Sequence, residues 1–313
     1  MKTKSKNKKL RIALGICIPL IIIIAAALAV VMKYGPTFGF YLVPPSAETY
    51  GKNALSIIDK NGIFAGNDEW KSTYNECLKM IENAKSYDNT YDAIRKALSV
   101  GGGKHSMLMT KSESQDTTES YDEVLPTVSL DSDIAIIKLP DFLGTAEAGQ
   151  KYAKVAEDFI HENRDKIKGV VLDLRGNTGG DMGPMATAVS SLLPDGELVY
   201  YHYRSYDIPV TLKNGVVSNA GTGGKSLYPE EKLNVPVAIL TDDMTASSGE
   251  ALTLCFRGLE NTRTFGAPTA GYTSVNMLYN MYDGAQMYLT VAFDKARTGE
   301  IFKETSIEPD VAT

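Results

Sequence analysis

Hydrophobic and polar positions divide the chain into three regimes: one continuous apolar block, a stretch with helical spacing, and an alternation of strand and helix patterns. Ile12 to Met32 runs 21 residues without a charge, and about 20 apolar residues are enough for a helix to cross the core of a bilayer. Further on, apolar residues recur at helical intervals, as Ala54, Ile57 and Ile58, then Trp70, Tyr74, Leu78 and Ile81, then Tyr91, Ile94 and Leu98, which predicts a small helical subdomain. Between the two regimes, Tyr34 to Ser46 holds Pro36, Pro44 and Pro45 and reads as a short extended stalk. Lys111 to Glu123 is polar and without period, as a loop would be.

From Ile134 the pattern changes. Strands are expected at Ile134–Leu139, Val170–Leu174, Val235–Leu240, Thr264–Phe265 and Gln286–Phe293, and helices at 146–168, 184–193 and 248–259. Short continuous apolar runs of this kind suit a parallel sheet covered on both faces, so the succession predicts an α/β core. The expected organisation is a basic cytoplasmic tail at 1–11, a transmembrane anchor at 12–32, a stalk at 33–50, a helical subdomain at 51–110 and the α/β core at 111–313.

Charge sharpens this picture. Residues 1–33 carry seven of the 32 basic residues and no acid, which leaves 25 basic against 38 acidic groups, a net −13, for the rest. Such a surface repels phosphate backbones, so nucleic acid is not an expected partner. The Lys cluster ahead of the apolar block keeps its own end inside the cell and sends the chain from Lys33 onward to the extracytoplasmic side of the membrane. Ala27-Leu28-Ala29 has the form of a signal-peptidase site. The apolar run nevertheless continues through Val30, Val31 and Met32, which favours a retained anchor. Cys77 and Cys255, the two cysteines outside the block, are too few for a disulfide framework; one bridge or two buried thiols are both compatible with them.

The chain lacks GxxxxGK[ST], HExxH, GxSxG and an EF-hand loop, so no metal or cofactor is expected. Candidate chemistry falls at two strand-to-helix junctions and one histidine. The first junction, Asp173 to Asp181, contains Gly176, Gly179 and Gly180, and such a turn can aim backbone N–H groups at a developing oxyanion or simply need positive φ. The second runs from Thr241 to Glu250. A serine at Ser247 there gains from the helix N-terminus, although Ser247-Ser248-Gly249-Glu250 also fits a capping box. Of the three histidines, His161 falls on an amphipathic helix and His202 between two tyrosines of a strand. His105 follows Gly101-Gly102-Gly103-Lys104 at a turn.

Together these residues resemble the C-terminal processing peptidases, and more closely their tricorn-core branch. The marks are Trp70, Gly103-Lys104-His105-Ser106, Val171 to Gly180, Thr245 to Glu250, Gly266-Ala267-Pro268-Thr269-Ala270-Gly271 and Ile307-Glu308-Pro309-Asp310. The resemblance implies a Clp/crotonase-like α/β fold. It also implies a serine peptidase acting on a peptide or protein substrate through an acyl-enzyme, which the N-terminal block makes membrane-anchored and extracytoplasmic. Carried over by position, Ser247 becomes the nucleophile, with the backbone N–H groups of Gly180 and Ser248 as the oxyanion hole. In the processing branch a lysine follows the serine and serves as base. Tyr272 stands at that place here, and no lysine occurs between Ser247 and Lys295. The tricorn-like arrangement then implies His105 as general base and Glu304 as the acidic member, offset by about one position, while Lys104 stands where the branch has serine. Between His105 and Ile134 there is too little chain for a peptide-binding module of the PDZ type. A catalytically silent peptide-binding or sensor domain, and a hydrolase of envelope esters or amides, are the competing functions.

Overall fold

The computed structural model describes residues 2–114 and 124–313, arranged in two compact units. The first takes in the chain through Gly101 together with Met107–Ser114 and Leu278–Leu289. It opens on helix α1 (Lys2–Tyr34), and a stretch from within it through the following turn, Cys17–Phe38, is long and apolar enough to cross a membrane. The expected extended stalk begins instead with a 3₁₀ turn, Gly35–Phe38, closed by Gly39 at φ +69°. Pro36 starts such a turn readily because its φ is already fixed, and a glycine ends it at no steric cost.

Helices α2 (Ala47–Asn61), α3 (Asp68–Ile81) and α4 (Tyr91–Gly101) follow the predicted spacing. Side-chain caps set two of the starts. Ser46 Oγ accepts the Thr49 N–H at 3.2 Å, and Asn67 Oδ1 accepts the Trp70 N–H at 2.7 Å, satisfying donors that a helix N-terminus leaves free. Tyr50, Leu55, Ile58, Trp70, Ile81, Ile94 and Leu98 form the buried core. Trp70 keeps its indole N–H satisfied by donating it to Asp59 at 2.7 Å. Strand β1 (Met107–Met109) pairs antiparallel with Gln286–Tyr288. The hairpin tip at Asp283 is held by the hydroxyls of Tyr50, at 3.0 Å, and Tyr91.

The second unit, Gly102–Ser106 with 124–277 and 290–313 among the described residues, is the α/β core. Strands β2 (Thr127–Asp131), β3 (Ile134–Lys138), β4 (Gly169–Asp173), β9 (Val237–Thr241), β10 (Thr262–Gly266) and β14 (Val311–Ala312) make a sheet in the order β14-β10-β9-β4-β3-β2. It is parallel except for the β2–β3 pair. Ile137, Leu172 and Ile239 on its central strands are fully buried. Helices α5 (Ala146–Asn163), α6 (Met182–Ala188) and α7 (Ser248–Phe256) connect these strands.

A second, antiparallel sheet went unforeseen. Strands β5 (Gly196–His202), β6 (Asp207–Lys213), β7 (Val216–Ser218) and β8 (Gly224–Lys225) form a meander whose first member pairs with the end of β12 (Gln286–Ala296). Its strands bury one face and carry many polar residues, so they lack the apolar runs that marked the parallel sheet. Strand β11 (Ser274–Asn280) was likewise missed. The helices expected to reach 168 and 259 end at Asn163 and Phe256. The latter stops just before Gly258 at φ +86°. Within the loop expected at 111–123, residues 111–114 are helical and 115–123 lie outside the described residues. Cys77 and Cys255 are both free and buried.

Candidate active site

Two loops at the ends of β4 and β9 are locked together by Asn177, whose side chain is completely buried. Its Nδ2 donates to the carbonyls of Leu139 and Pro140 at 2.9 and 3.1 Å, its Oδ1 accepts the Gly179 N–H at 2.9 Å, and its own carbonyl accepts the Ala246 N–H at 2.9 Å. One amide therefore fixes the glycine turn to the sheet and to the serine loop, leaving no polar atom of its side chain wasted. Asp242 adds a second clamp by accepting the N–H groups of Gly176 and Thr245 at 3.1 and 2.9 Å.

Ser247 stands at the entry to α7 with φ +51° and ψ −115°, a backbone state that side chains rarely adopt. Gly179 explains how the glycine turn comes so near: a Cβ there would lie 2.7 Å from Ser247 Cβ. Gly180, at φ +102°, leaves similar space only for hydrogen, because a Cβ would meet the Phe142 carbonyl oxygen at 2.0 Å. Gly180 also accepts a bond from Ser248 Oγ at 2.5 Å. Among the described residues, neither the Gly180 N–H nor the Ser248 N–H has a hydrogen-bond acceptor. Both remain open as donors beside Ser247.

Glu250, fully buried, is the hub behind the serine. It accepts the N–H of Ser247 at 2.8 Å, the N–H groups of Gly271 and Tyr272 at 2.8 Å each, and the Thr269 hydroxyl. Burial pushes its carboxyl above the ordinary value, against these four bonds, which favour the anion. The Ser247 N–H bond is the reverse arm of a capping box. The forward arm, from the Glu250 N–H to Ser247 Oγ, has that pattern without full hydrogen-bond geometry. Ser247 is half-buried.

Through Glu250 the segment 269–274 is tied to the serine loop, and it carries Tyr272 and Ser274 to His105. The His105 and Tyr272 rings meet edge to face at 5.1 Å, with the Lys104 ammonium over the same tyrosine at 4.8 Å. His105 Nδ1 lies 3.0 Å from Ser274 Oγ, which donates to Glu304 Oε1 at 3.3 Å. Because that hydroxyl proton is committed to the carboxylate, the serine oxygen accepts from Nδ1–H, and the neutral ring keeps its lone pair on Nε2. Glu304 further accepts the backbone N–H groups of Lys104 and His105 at 3.2 and 3.3 Å. Burial lowers the His105 pKa to about 4. A hydrogen bond from the ring to the Ser274 backbone opposes this, and the Lys104 charge acts with the burial.

Of the residues singled out in the sequence, Ser247, Ser248 and Gly180 adjoin one another, and His105 adjoins Glu304. Among the described residues no hydrogen bond joins His105 to Ser247 directly; Glu250 and Tyr272 link the two groups, Glu250 by accepting both N–H groups and Tyr272 by its ring contact with His105. Apo sites of this kind often tighten only with substrate bound. Sequence reasoning missed Ser274, Asn177 and the hub role of Glu250. Asn177 had a signal, a polar residue inside a glycine turn that follows a buried strand. Ser274 had none, since only the start of β11 brings it to the imidazole. The other histidines are accounted for by His161 stacked on Tyr228 at 4.0 Å and His202 paired with Asp207 at 2.6 Å.

Comparison with known proteins gives this architecture its class. A lipoprotein from Streptococcus agalactiae matches it with a TM-score of 0.78 at 33% identity, covering 88% of this chain and 94% of that one. The photosystem II D1 C-terminal processing protease shares the fold, with a TM-score of 0.59 at 15% identity over 86% and 94% of the two chains. The nisin-resistance protein of Lactococcus lactis subsp. lactis is 36% identical over 306 residues, 97% of this chain and 95% of its own length. The carboxy-terminal processing protease CtpA of Bacillus subtilis (strain 168) is 29% identical over 182 residues, 58% of this chain and 35% of that one. The class is thus that of the C-terminal processing peptidases and their relatives. More particularly, the model for peptidase family S41 matches residues 133–313, and the chain belongs to that family.

Proposed function

We propose that this protein is a membrane-anchored serine peptidase, with its α/β core on the extracytoplasmic side, that cleaves peptides through an acyl-enzyme on Ser247. In this reading His105 Nε2 takes the Ser247 proton as the hydroxyl attacks the peptide carbonyl. The N–H groups of Gly180 and Ser248 receive the oxyanion, and the imidazolium returns the proton to the leaving amine. Ser274 and Glu304 hold the ring in the tautomer that can act as base and stabilise the cation it becomes. The observation that carries the reading is the bond from His105 Nδ1–H to Ser274 Oγ at 3.0 Å, relayed to Glu304.

The 36% identical nisin-resistance protein extends the proposal to substrate: a peptide antibiotic of the nisin kind. Residues 34–313 carry a net −13 and would draw cationic peptides toward them. The test is labelling of the full chain by a fluorophosphonate probe, alongside a mass-spectrometric assay of nisin cleavage. Wild type should label and cleave, and Ser247→Ala and His105→Ala should do neither. A wild-type chain that labels but leaves nisin intact loses the substrate and keeps the chemistry. One that does not label points to a silent binding domain.

A further inference from the structure

The segment that leaves α1 is folded so that its apolar side chains face outward. Phe38 is 84% exposed, Phe40 56%, Leu42 43% and Val43 59%. The alternate residues turn the other way: Gly39 packs so closely on the hairpin that a Cβ would come 3.2 Å from the Asn280 carbonyl oxygen, and the Tyr41 ring meets Tyr282 edge to face at 5.4 Å. The turn is fixed from within by Phe40 N–H donating to Gly35 O at 2.9 Å and Gly39 N–H to Pro36 O at 3.1 Å. Downstream, Tyr87 donates its hydroxyl to the Pro45 carbonyl at 2.8 Å.

In water this is unusual, since single exposed apolar side chains are ordinary but a cluster of large ones on one short segment is not. A contiguous, rigid, aromatic-rich apolar patch on a folded unit marks an interaction site. What covers it follows from covalent continuity, because the patch begins where the apolar stretch Cys17–Phe38 ends. Aromatic side chains are the residues that settle at the boundary between headgroups and acyl chains.

We propose that Phe38, Phe40, Leu42 and Val43 form a collar inserted into the interface of the bilayer that α1 crosses, seating the helical unit on the lipid surface instead of on a free stalk. This rests on the anchor reading of α1 and is independent of the catalytic assignment. A lipid contact at this place also accounts for the tight inner packing of Gly39 and Tyr41, which leaves the four apolar side chains exposed.

The full chain, reconstituted in phosphatidylcholine vesicles, provides the test. Trp70 is the single tryptophan and is buried, so it supplies a constant background. Phe40→Trp and, separately, Val43→Trp place a reporter in the collar, and Met80→Trp places one on an exposed position of α3. Flotation with the vesicles reads the anchor. Quenching by lipid brominated near the top of the acyl chain reads the collar. Both collar reporters should be blue-shifted and strongly quenched, with Met80→Trp and the parent unaffected. Vesicles that float the chain while leaving both collar reporters unquenched overturn the collar alone. A chain that fails to float overturns the anchor and the collar together.

Discussion

Ser274 Oγ lies 3.0 Å from His105 Nδ1 and donates its own proton to Glu304, so the hydroxyl of one residue sets which nitrogen of the other carries hydrogen. If His105 is the base, Ser274→Ala removes the partner that holds the tautomer. The expected loss in kcat/KM is about 10²-fold, the lower range for impaired acid–base catalysis. Ser274→Thr keeps the hydroxyl and should recover a substantial part of it. A merely structural role predicts equal loss of stability in both variants without this rescue, which thermal unfolding beside steady-state kinetics distinguishes.

The pH profile follows from the burial of His105. With its pKa lowered to about 4, the ring stays neutral well below the usual histidine range of about 6.5. The acid limb of kcat/KM should therefore lie near 4 and well below 6.5, with activity surviving at pH 5. Stability shares the window. The unfolded chain binds this proton at higher pH than the folded one, so stability is full above about pH 6.5 and falls as pH drops toward 4. His105→Asn should flatten that part of the stability curve; an unchanged slope would count against the assignment.

The close approach of Gly179 to Ser247 makes the elbow intolerant on one side and strained on the other. Gly179→Ala would place a methyl 2.7 Å from Ser247 Cβ at φ +110°, so probe labelling should be abolished and stability reduced by about 1–3 kcal/mol. Ser247 itself occupies φ +51°. Ser247→Gly should consequently raise Tm while eliminating labelling, and Ser247→Ala should stay within about 1 kcal/mol of wild type. A Ser247→Gly protein that melts earlier than Ser247→Ala would show that the backbone there is unstrained.

Asp294 is fully buried, and neither carboxylate oxygen has a hydrogen-bond partner among the described residues. Burial, then the nearby Glu250, pushes its pKa well above the ordinary value. The folded state thus holds a proton that the unfolded chain gives up near pH 4. The stability this proton supplies is complete in acid and is lost as pH rises through the folded pKa. Asp294→Asn should be at least as stable as wild type at neutral pH and should melt less steeply with rising alkalinity, as calorimetry across the pH range can establish.

Much of this was legible in the residues themselves. The buried parallel strands, the three helices of the first unit and the apolar α1 follow from spacing and run length, because those patterns record which faces must leave water. The two loops of the candidate site were visible for a similar reason: glycine clusters and a serine before a helix are local requirements of the backbone. The antiparallel meander from β5 to β8 was not, since strands with one wet face leave a weak imprint.

What the sequence alone determined, then, is where the chain must turn, what it must bury and which residues offer reactive groups. Tertiary structure decided which of these meet. Ser274 meets the imidazole at the start of β11, just after a segment that Glu250, in the first turn of α7, ties to the serine loop by accepting N–H groups from Ser247, Gly271 and Tyr272 at once. Hydrogen-bond partners this far apart along the chain are selected by packing, and packing leaves no periodic trace in the order of the residues.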